Sequence, residues 1–237
     1  MKRNPLLQLR NPFRALTRFE WGLWGLSILV VTASFFLGGA QGILSLAASL
    51  LGVTALILVA KGDVWGQALC VVFSVLYAIV AWDRQYYGEM ITYLCMSAPI
   101  AAFSVVSWLR HPYADDGSEV KMARLTKRAA VGAFLLAAVV TFAFYWILKA
   151  LGNAELAVST VSVTTSFLAA YLLFLRSPFY ALAYAANDVV LIVLWVVAAL
   201  DDPSKLSMVA CFLMFLCNDL YGFCNWLRLR KKQDPSA

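Results

Sequence analysis

The sequence predicts an all-α membrane protein with eight transmembrane helices, built as an extra N-terminal helix plus a 3+1+3 core of two parallel triple-helix bundles. Three observations carry this. Eight apolar runs each have bilayer length, the basic residues between them fall mostly on one side, and two blocks of three runs share an order of residues. The runs are Phe19–Gly38, Ala40–Ala60, Val64–Trp82, Tyr87–Leu109, Arg128–Leu151, Glu155–Leu175, Pro178–Leu200 and Ser204–Leu227. A spanning helix needs about 20 apolar residues rising about 1.5 Å each. The runs fill most of the 237 residues, of which 62% are hydrophobic and 14% charged. A soluble domain averages about 25% charged residues, and none fits beside these runs. The longest connection, His111–Lys127, is polar and loop-like, with Pro112, Asp115, Asp116 and Gly117.

The first run follows a basic segment holding Lys2, Arg3, Arg10, Arg14 and Arg18. It is too long for the apolar region of a signal peptide and reads as a retained helix. With the N-terminus in the cytoplasm, the inside segments also hold Lys61, Arg110, Lys121, Arg124, Lys127, Arg128, Arg176, Arg228, Arg230, Lys231 and Lys232. That is 16 of the 19 lysines and arginines; only Arg84, Lys149 and Lys205 fall outside. Such a split is a positive-inside signal and puts both termini in the cytoplasm of a multi-pass protein. The net charge of +6 is therefore a topology signal at lipid headgroups, and nucleic acid is not an expected partner.

Runs two to four and six to eight open alike, each on a helix of small residues: Ser45, Ala47, Ala48, Ser49 and Gly52, then Ser159, Thr160, Ser162, Thr164, Thr165 and Ser166. Such residues let helix backbones approach closely. Each block turns at one basic residue, Lys61 or Arg176, and next reaches a tryptophan, Trp82 or Trp195. Each ends in Trp-Leu-Arg, at Trp108–Arg110 and Trp226–Arg228. Run five restores the orientation, so the blocks are parallel. Parallel repeats joined by one helix are a transporter plan with substrate held near the midplane. The expected division is 1–39 for the basic N-terminus and extra helix, 40–110 for the first bundle, 111–151 for loop and linker helix, 152–228 for the second bundle and 229–237 for a basic tail.

Ionisable groups at membrane depth cost about 2.5–3.5 kcal/mol on insertion scales and mark function. Run seven carries Asn187 and Asp188 near its middle, and run eight carries Asn218 and Asp219. Gln67, Ser74 and Tyr77 on run three, and Glu89, Tyr93 and Ser97 on run four, are the weaker polar groups of the first block. Helical spacing aligns Tyr180, Tyr184 and Asn187; Asn218, Tyr221, Gly222 and Asn225; and Glu89, Tyr93, Met96 and Ile100. Asn and Tyr in these positions serve either as hydrogen-bonding glue between helices or as the lining of a shared site. Rings, amides and a carboxylate suit a planar, hydroxylated, cationic solute: rings stack on a heterocycle, amides bond hydroxyls, and Asp188 balances a positive charge. Pro99 is expected to open run four by removing a backbone bond.

No phosphate-binding glycine loop, dinucleotide fingerprint, metal-spaced His/Glu cluster or nucleophile elbow is present, so the chain is expected to be a carrier and not an enzyme, with no cofactor and no metal. Cys70, Cys95, Cys211, Cys217 and Cys224 all lie in apolar runs without C-x-x-C spacing and read as small buried hydrophobes. His111, the only histidine, reads as an interfacial residue.

Three segments carry a family resemblance: Trp82-Asp83-Arg84-Gln85-Tyr86-Tyr87-Gly88-Glu89; Asn187-Asp188 with Leu194-Trp195; and Asn218-Asp219-Leu220-Tyr221-Gly222-Phe223-Cys224-Asn225-Trp226. Through them the chain, from about Leu44 to Arg230, resembles the PnuC-type nicotinamide riboside carriers. The family's first-block ending, N-x-Y-G-x-x-x-W, is replaced here by the run from Pro99 to Trp108. The resemblance implies a fold similar to the SWEET sugar carriers. It also implies uptake of unphosphorylated nicotinamide riboside by facilitated diffusion with alternating access, for NAD biosynthesis, with trapping by a cytoplasmic kinase. A homotrimer in the bacterial inner membrane is implied as well. Relatives carry thiamine or riboflavin, so another heterocyclic vitamin, with or without ion coupling, is the alternative. By position in the motifs, Asn187 and Asn218 are expected to contact the ligand, with Tyr184, Asp188, Tyr221 and Tyr93 beside them. Trp82, Gln85, Tyr87 and Glu89 are expected to form an outer gate.

Overall fold

The computed structural model describes residues 11–39, 42–83, 87–113, 118–152, 156–201 and 206–234. Among them, eight helical segments are long and apolar enough to cross a membrane, and there is no β-strand. The helices are α1 (Arg18–Leu37), α2 (Ile43–Ala60), α3 (Val64–Asp83), α4 (Tyr87–Thr92), α5 (Ala98–Arg110), α6 (Lys127–Ala150), α7 (Leu156–Phe174), α8 (Tyr180–Asp201) and α9 (Leu206–Gln233). A single π-helical turn, Tyr93–Ser97, joins α4 to α5 into one span. It sits just before Pro99, where the Ala98 N–H reaches back five residues to the Tyr93 carbonyl. The expected break thus takes the form of a widened turn, which re-satisfies backbone groups that proline would orphan.

The helices pack in a crossed order. α2 lies on α3 and α3 on α5; α7 lies on α8 and α8 on α9. Between these groups, α2 packs on α9 and α5 on α7. α1 lies against α2 and α9, and α6 runs along α7 with Phe134, Leu135, Val139, Phe142 and Trp146 facing out. Inside the bundle, hydroxyls bond their own helix. Ser27, Ser49, Thr54, Ser104 and Thr160 each donate to the carbonyl four residues back, at 2.6–2.9 Å. This lets polar residues sit where no water is available.

One end is closed by a reciprocal lock. Trp108, at the end of α5, donates its indole N–H to the Leu173 carbonyl on α7 at 3.3 Å. Trp226, toward the end of α9, donates to the Val59 carbonyl on α2 at 2.8 Å. Both are fully buried, and their rings lie 5.6 Å apart. Beneath them runs a strap, Ser118–Thr126. Val120 N–H donates to the Gly62 carbonyl in the α2–α3 turn, and Ala123 N–H donates to the Arg176 carbonyl in the α7–α8 turn. Gln233 at the end of α9 accepts from Met122 N–H and donates to the Val120 carbonyl. Asp63 caps α3 through Trp65 N–H and takes the Ser118 hydroxyl; burial holds its carboxyl above the usual carboxylate range against those bonds.

These turns correct the sequence alignment by one residue. Gly62 (φ 68°) and Arg176 (φ 59°) occupy the matching left-handed position, so Lys61 and Arg176 are not equivalent. The left-handed turn that ends each helix is the invariant, and the basic residue is incidental to it. α3 then comes so close to α2 that a Cβ on Gly66 would stand 2.5 Å from the Val59 nitrogen. Two further expectations shift. The basic tail begins inside α9, which continues to Gln233, because cations suit a helix C-terminus. Cys95, Cys217 and Cys224 are exposed on helix surfaces, although all five cysteines are free. Among the described residues, every lysine and arginine except Lys149 falls at the strap end or in the helix starts beside it.

Replacing Trp226 by Phe removes the donor to Val59 and part of a fully packed ring. Thermal unfolding of the detergent-solubilised protein should register a loss of about 1–3 kcal/mol. An unshifted midpoint would mean the lock contributes nothing.

Candidate functional site

The polar residues at membrane depth form two separate groups. The first lies between the helices. Tyr180, Tyr184 and Asp188 recur along one face of α8, and Asp219 faces them from α9. Cys70 of α3 and Tyr93 of the π turn complete the group: Tyr184 is in electrostatic contact with Cys70, Tyr93, Asp188 and Asp219. Asp188 and Asp219 are neighbours in this group and interact electrostatically. Both are 5% exposed, and Asp188 Oδ2 takes no N–H or O–H donor among the described residues. Tyr93 packs on Tyr77 (4.3 Å between centroids) and Phe73 (5.8 Å). On the same face of α3 as Cys70, one turn toward the strap, Gln67 is 2% exposed and its amide nitrogen has no partner among the described residues.

The second group ties α1 to the rest. Thr17 and Glu20 form a capping box at the start of α1, with Thr17 N–H bonded to Glu20 Oε2 at 2.6 Å. Glu20 Oε1 accepts from the Tyr221 hydroxyl at 2.5 Å and pairs with Lys61 at 3.2 Å. One carboxylate, 1% exposed, thereby joins the start of α1, the end of α2 and the middle of α9. One and two turns further along, Asn218 donates to Ser27 Oγ at 2.9 Å and to the Met214 carbonyl at 2.8 Å.

The structure therefore distributes the expected site residues. Tyr93, Tyr184 and Asp188 come together. Asn187 is next to Asp188 in sequence, but its Oδ1 accepts from Ser162 and Thr165 of α7, each at 2.9 Å. Asn218 and Tyr221 are turned toward α1, with Asn218 Oδ1 buried and without a partner among the described residues. Of the outer-gate candidates, Trp82 and Tyr87 are exposed and pack edge to face at 5.6 Å. Glu89 accepts from the Tyr77 hydroxyl at 2.7 Å, and Gln85 lies outside the described residues. Asp219, Cys70 and Tyr180 join the group although none was among the expected ligand contacts; Asp219 was noted only for its depth in run eight. The Tyr180–Tyr184 spacing was the available signal for one of them. Glu20 was missed although the T-x-x-E pattern that places it is plain at Thr17.

A groove of about 520 Å³ between α6 and α7, lined by Phe134, Thr141, Phe142, Thr160 and Thr164 among others, opens outward and contains none of these residues. No group of three or more His, Cys, Asp or Glu side chains that could hold a metal occurs among the described residues.

Eight spans with a carboxyl pair and tyrosines buried between them define a multi-pass membrane protein of the transporter class. The chain belongs to the family described as "Nicotinamide mononucleotide transporter", whose profile matches residues 42–228. It is 28% identical over 227 residues to the nicotinamide riboside transporter PnuC of Neisseria mucosa, covering 94% of this chain and 86% of that one. It is 26% identical over 190 residues to the PnuC of Haemophilus influenzae, covering 80% and 81%. A crystal structure titled as that of the vitamin B3 transporter PnuC superposes with a TM-score of 0.77 at 25% identity, over 93% of this chain and 95% of that one.

Lys61→Met would leave Glu20 buried without its cation, a loss of about 3 kcal/mol or more. The paired variant Glu20→Gln/Lys61→Met should unfold at a higher temperature than Lys61→Met alone. The reverse order would show that the ion pair does not hold α1.

Proposed function

We propose that this protein carries nicotinamide riboside across the bacterial inner membrane by facilitated diffusion, with alternating access to a site between two triple-helix bundles, 40–110 and 152–228. The names of the relatives, matched along most of the chain, support the substrate class. One observation favours the riboside over the mononucleotide. The buried group holds two carboxyls, and among the described residues neither is paired with a lysine or arginine. A phosphate monoester carries close to two negative charges at neutral pH and calls for cationic or N–H donors. A pyridinium ring finds what it needs here: tyrosine faces at Tyr93 and Tyr184 and a negative charge at Asp188. Asn187, beside Asp188 in sequence, is the amide offered for ribose hydroxyls, while Asn218 and Tyr221 act from the α1 side by holding α9 in place.

The strap end, where the basic residues gather, is the cytoplasmic end on this reading, and both termini lie there. It is closed by Trp108, Trp226, Tyr180, Val120 and Met122, so inward release requires that packing to open. Trp82, Tyr87 and Glu89, at the opposite end, are the proposed outer gate; Gln85, the fourth candidate, lies outside the described residues. A homotrimer is the expected assembly.

In proteoliposomes, labelled nicotinamide riboside should equilibrate to equal concentrations on both sides. Accumulation above the outside level, collapsed by an uncoupler, would instead establish ion coupling. Calorimetry should find the riboside bound and the mononucleotide bound far more weakly; the opposite order overturns the substrate assignment. Asn187→Leu should weaken riboside binding about two- to tenfold, the worth of one neutral hydrogen bond.

A further inference from the structure

The groove between α6 and α7 follows a pattern in the sequence of α6. Phe134, Ala138, Thr141, Tyr145 and Lys149 recur every three or four residues and so lie along one stripe of that helix. All but the lysine line the groove, and Thr160, Thr164 and Leu168 of α7 form its other wall. Thr141, Thr160 and Thr164 each donate to the carbonyl four residues back, at 2.6–2.8 Å, and the Thr141 and Thr164 oxygens meet between the two helices at 2.7 Å. No hydroxyl hydrogen of the three is left for a guest, so the groove suits an apolar one. From Phe134 to Tyr145 it follows about 16 Å of helix, which makes its 520 Å³ about 6 Å across. A second helix, about 10–12 Å thick with its side chains, does not fit; one hydrocarbon chain, with carbon contacts at about 4 Å, does. Lys149 stands one turn beyond Tyr145, at the end of the groove far from the strap. Its ammonium lies 5.9 Å from the Tyr145 ring centre and 5.0 Å from that of Trp146. The rings hold the cation without neutralising it. Among the described residues no carboxylate pairs with it, and it is the one lysine or arginine away from the strap end.

We infer that this groove binds one phospholipid of net negative charge, of the phosphatidylglycerol kind, with an acyl chain between α6 and α7 and the phosphodiester at Lys149. The chain brings length and no polar group, which is what the groove accepts. The headgroup brings the counter-charge that Lys149 lacks, and one lysine beside an anionic headgroup is worth about a fivefold gain in affinity. A zwitterionic headgroup carries its own cation and gains less. With the strap end in the cytoplasm, this lipid belongs to the outer leaflet. Its chain covers Phe134 and Phe142, which are 65% and 68% exposed. It also braces α7 from the side away from the candidate site, since Ser162 and Thr165, which bond Asn187, lie on the opposite face from Thr160 and Thr164. The inference uses the spans and no feature of the solute, so its failure would leave the transport reading untouched.

The test is native mass spectrometry of the purified, delipidated full chain mixed with phosphatidylglycerol or with phosphatidylcholine of the same acyl chains. One phosphatidylglycerol should be retained per chain, about fivefold more tightly than phosphatidylcholine. Lys149→Gln should abolish that preference and leave the weaker binding of both lipids. Ala138→Phe should lower retention of both, because the new ring occupies the groove; Ala138 is exposed, so the change does not enter the core. Thermal unfolding without added lipid checks that each variant is folded, and if Ala138→Phe is not, Lys149→Gln and a crosslink map decide. In that map, phosphatidylglycerol with a diazirine on its acyl chain should label residues 134–145 and 160–168. Labelling spread evenly over the lipid-facing surface, or retention unchanged in a folded Ala138→Phe, overturns the site. Equal retention of the two lipids by the wild type, or a preference that survives Lys149→Gln, overturns the headgroup assignment. Protein–protein crosslinks from residues 134–145 of one protomer to its partner would give the groove to a second copy and overturn the inference too.

Discussion

The fold depends on two indole N–H groups that reach across the bundle in opposite directions. Trp108 bonds the end of α7 and Trp226 bonds the end of α2, so each of two helices arriving at the strap end holds the end of a helix from the other side. In a bilayer the usual driving force for association is weak, because lipid tails are as apolar as leucine. Close packing and hydrogen bonds must do what burial from water does elsewhere. The two tryptophans supply both at one point. Their rings fill the centre of that end and their nitrogens reach the last turns of the facing helices. The strap and Gln233 are arranged around that plug, with Val120 and Met122 completing it.

The same scarcity of water explains where polar groups sit. Ser49 and Thr54 on α2, and Thr160 and Thr164 on α7, each have an acceptor on their own helix. Those helices therefore pack closely without stranding a donor. Asn187 bonds to two of the α7 hydroxyls, and Asn218 bonds to Ser27 of α1. Both asparagines are thus helix connectors in this conformation. Among the described residues, Asp188 Oδ2 has no such partner in a hydroxyl or a cation. Glu20 is the informative contrast. It is as deeply buried, yet it has a backbone N–H, a tyrosine hydroxyl and a lysine, a complete set of partners for a structural carboxylate.

The helices were legible in the sequence because their signal is length, and a run of about twenty apolar residues has few alternatives. The eight spans agree with the runs to within a few residues, apart from α9, where basic residues that read as a tail extend the helix. The turn at Tyr93–Ser97 was legible from Pro99, two residues beyond its end. The site was only half legible. Helical spacing correctly aligned Tyr180 with Tyr184, but it cannot say which neighbour a face meets. Asn218 and Asp219 are adjacent, so they point about 100° apart, one toward α1 and the other toward α8. Sequence treated them as one polar patch; packing assigns one to the added helix and the other to the site. The same ambiguity hid Glu20, whose capping role is local and readable but whose partners Lys61 and Tyr221 lie 41 and 201 residues away.

The α1 contacts bear on how the molecule can move. α1 is outside the 3+1+3 core in sequence, but it bonds α9 at Tyr221 and Asn218, on either side of Asp219. Any displacement of α9 that opens the closed end must carry α1 with it or break a buried carboxylate's bonds. The second course is expensive where no water can replace them. The Glu20 cluster also includes Lys61, at the α2 turn where the strap is anchored. α1, α9, the end of α2 and the strap are therefore mechanically one body at this end. The Trp108–Leu173 bond of α5 and α7 lies outside that body, although the strap also holds the turn after α7 through Arg176. Tyr180, which packs 4.7 Å from Trp226, joins that plug to the group of tyrosines and carboxyls on α8.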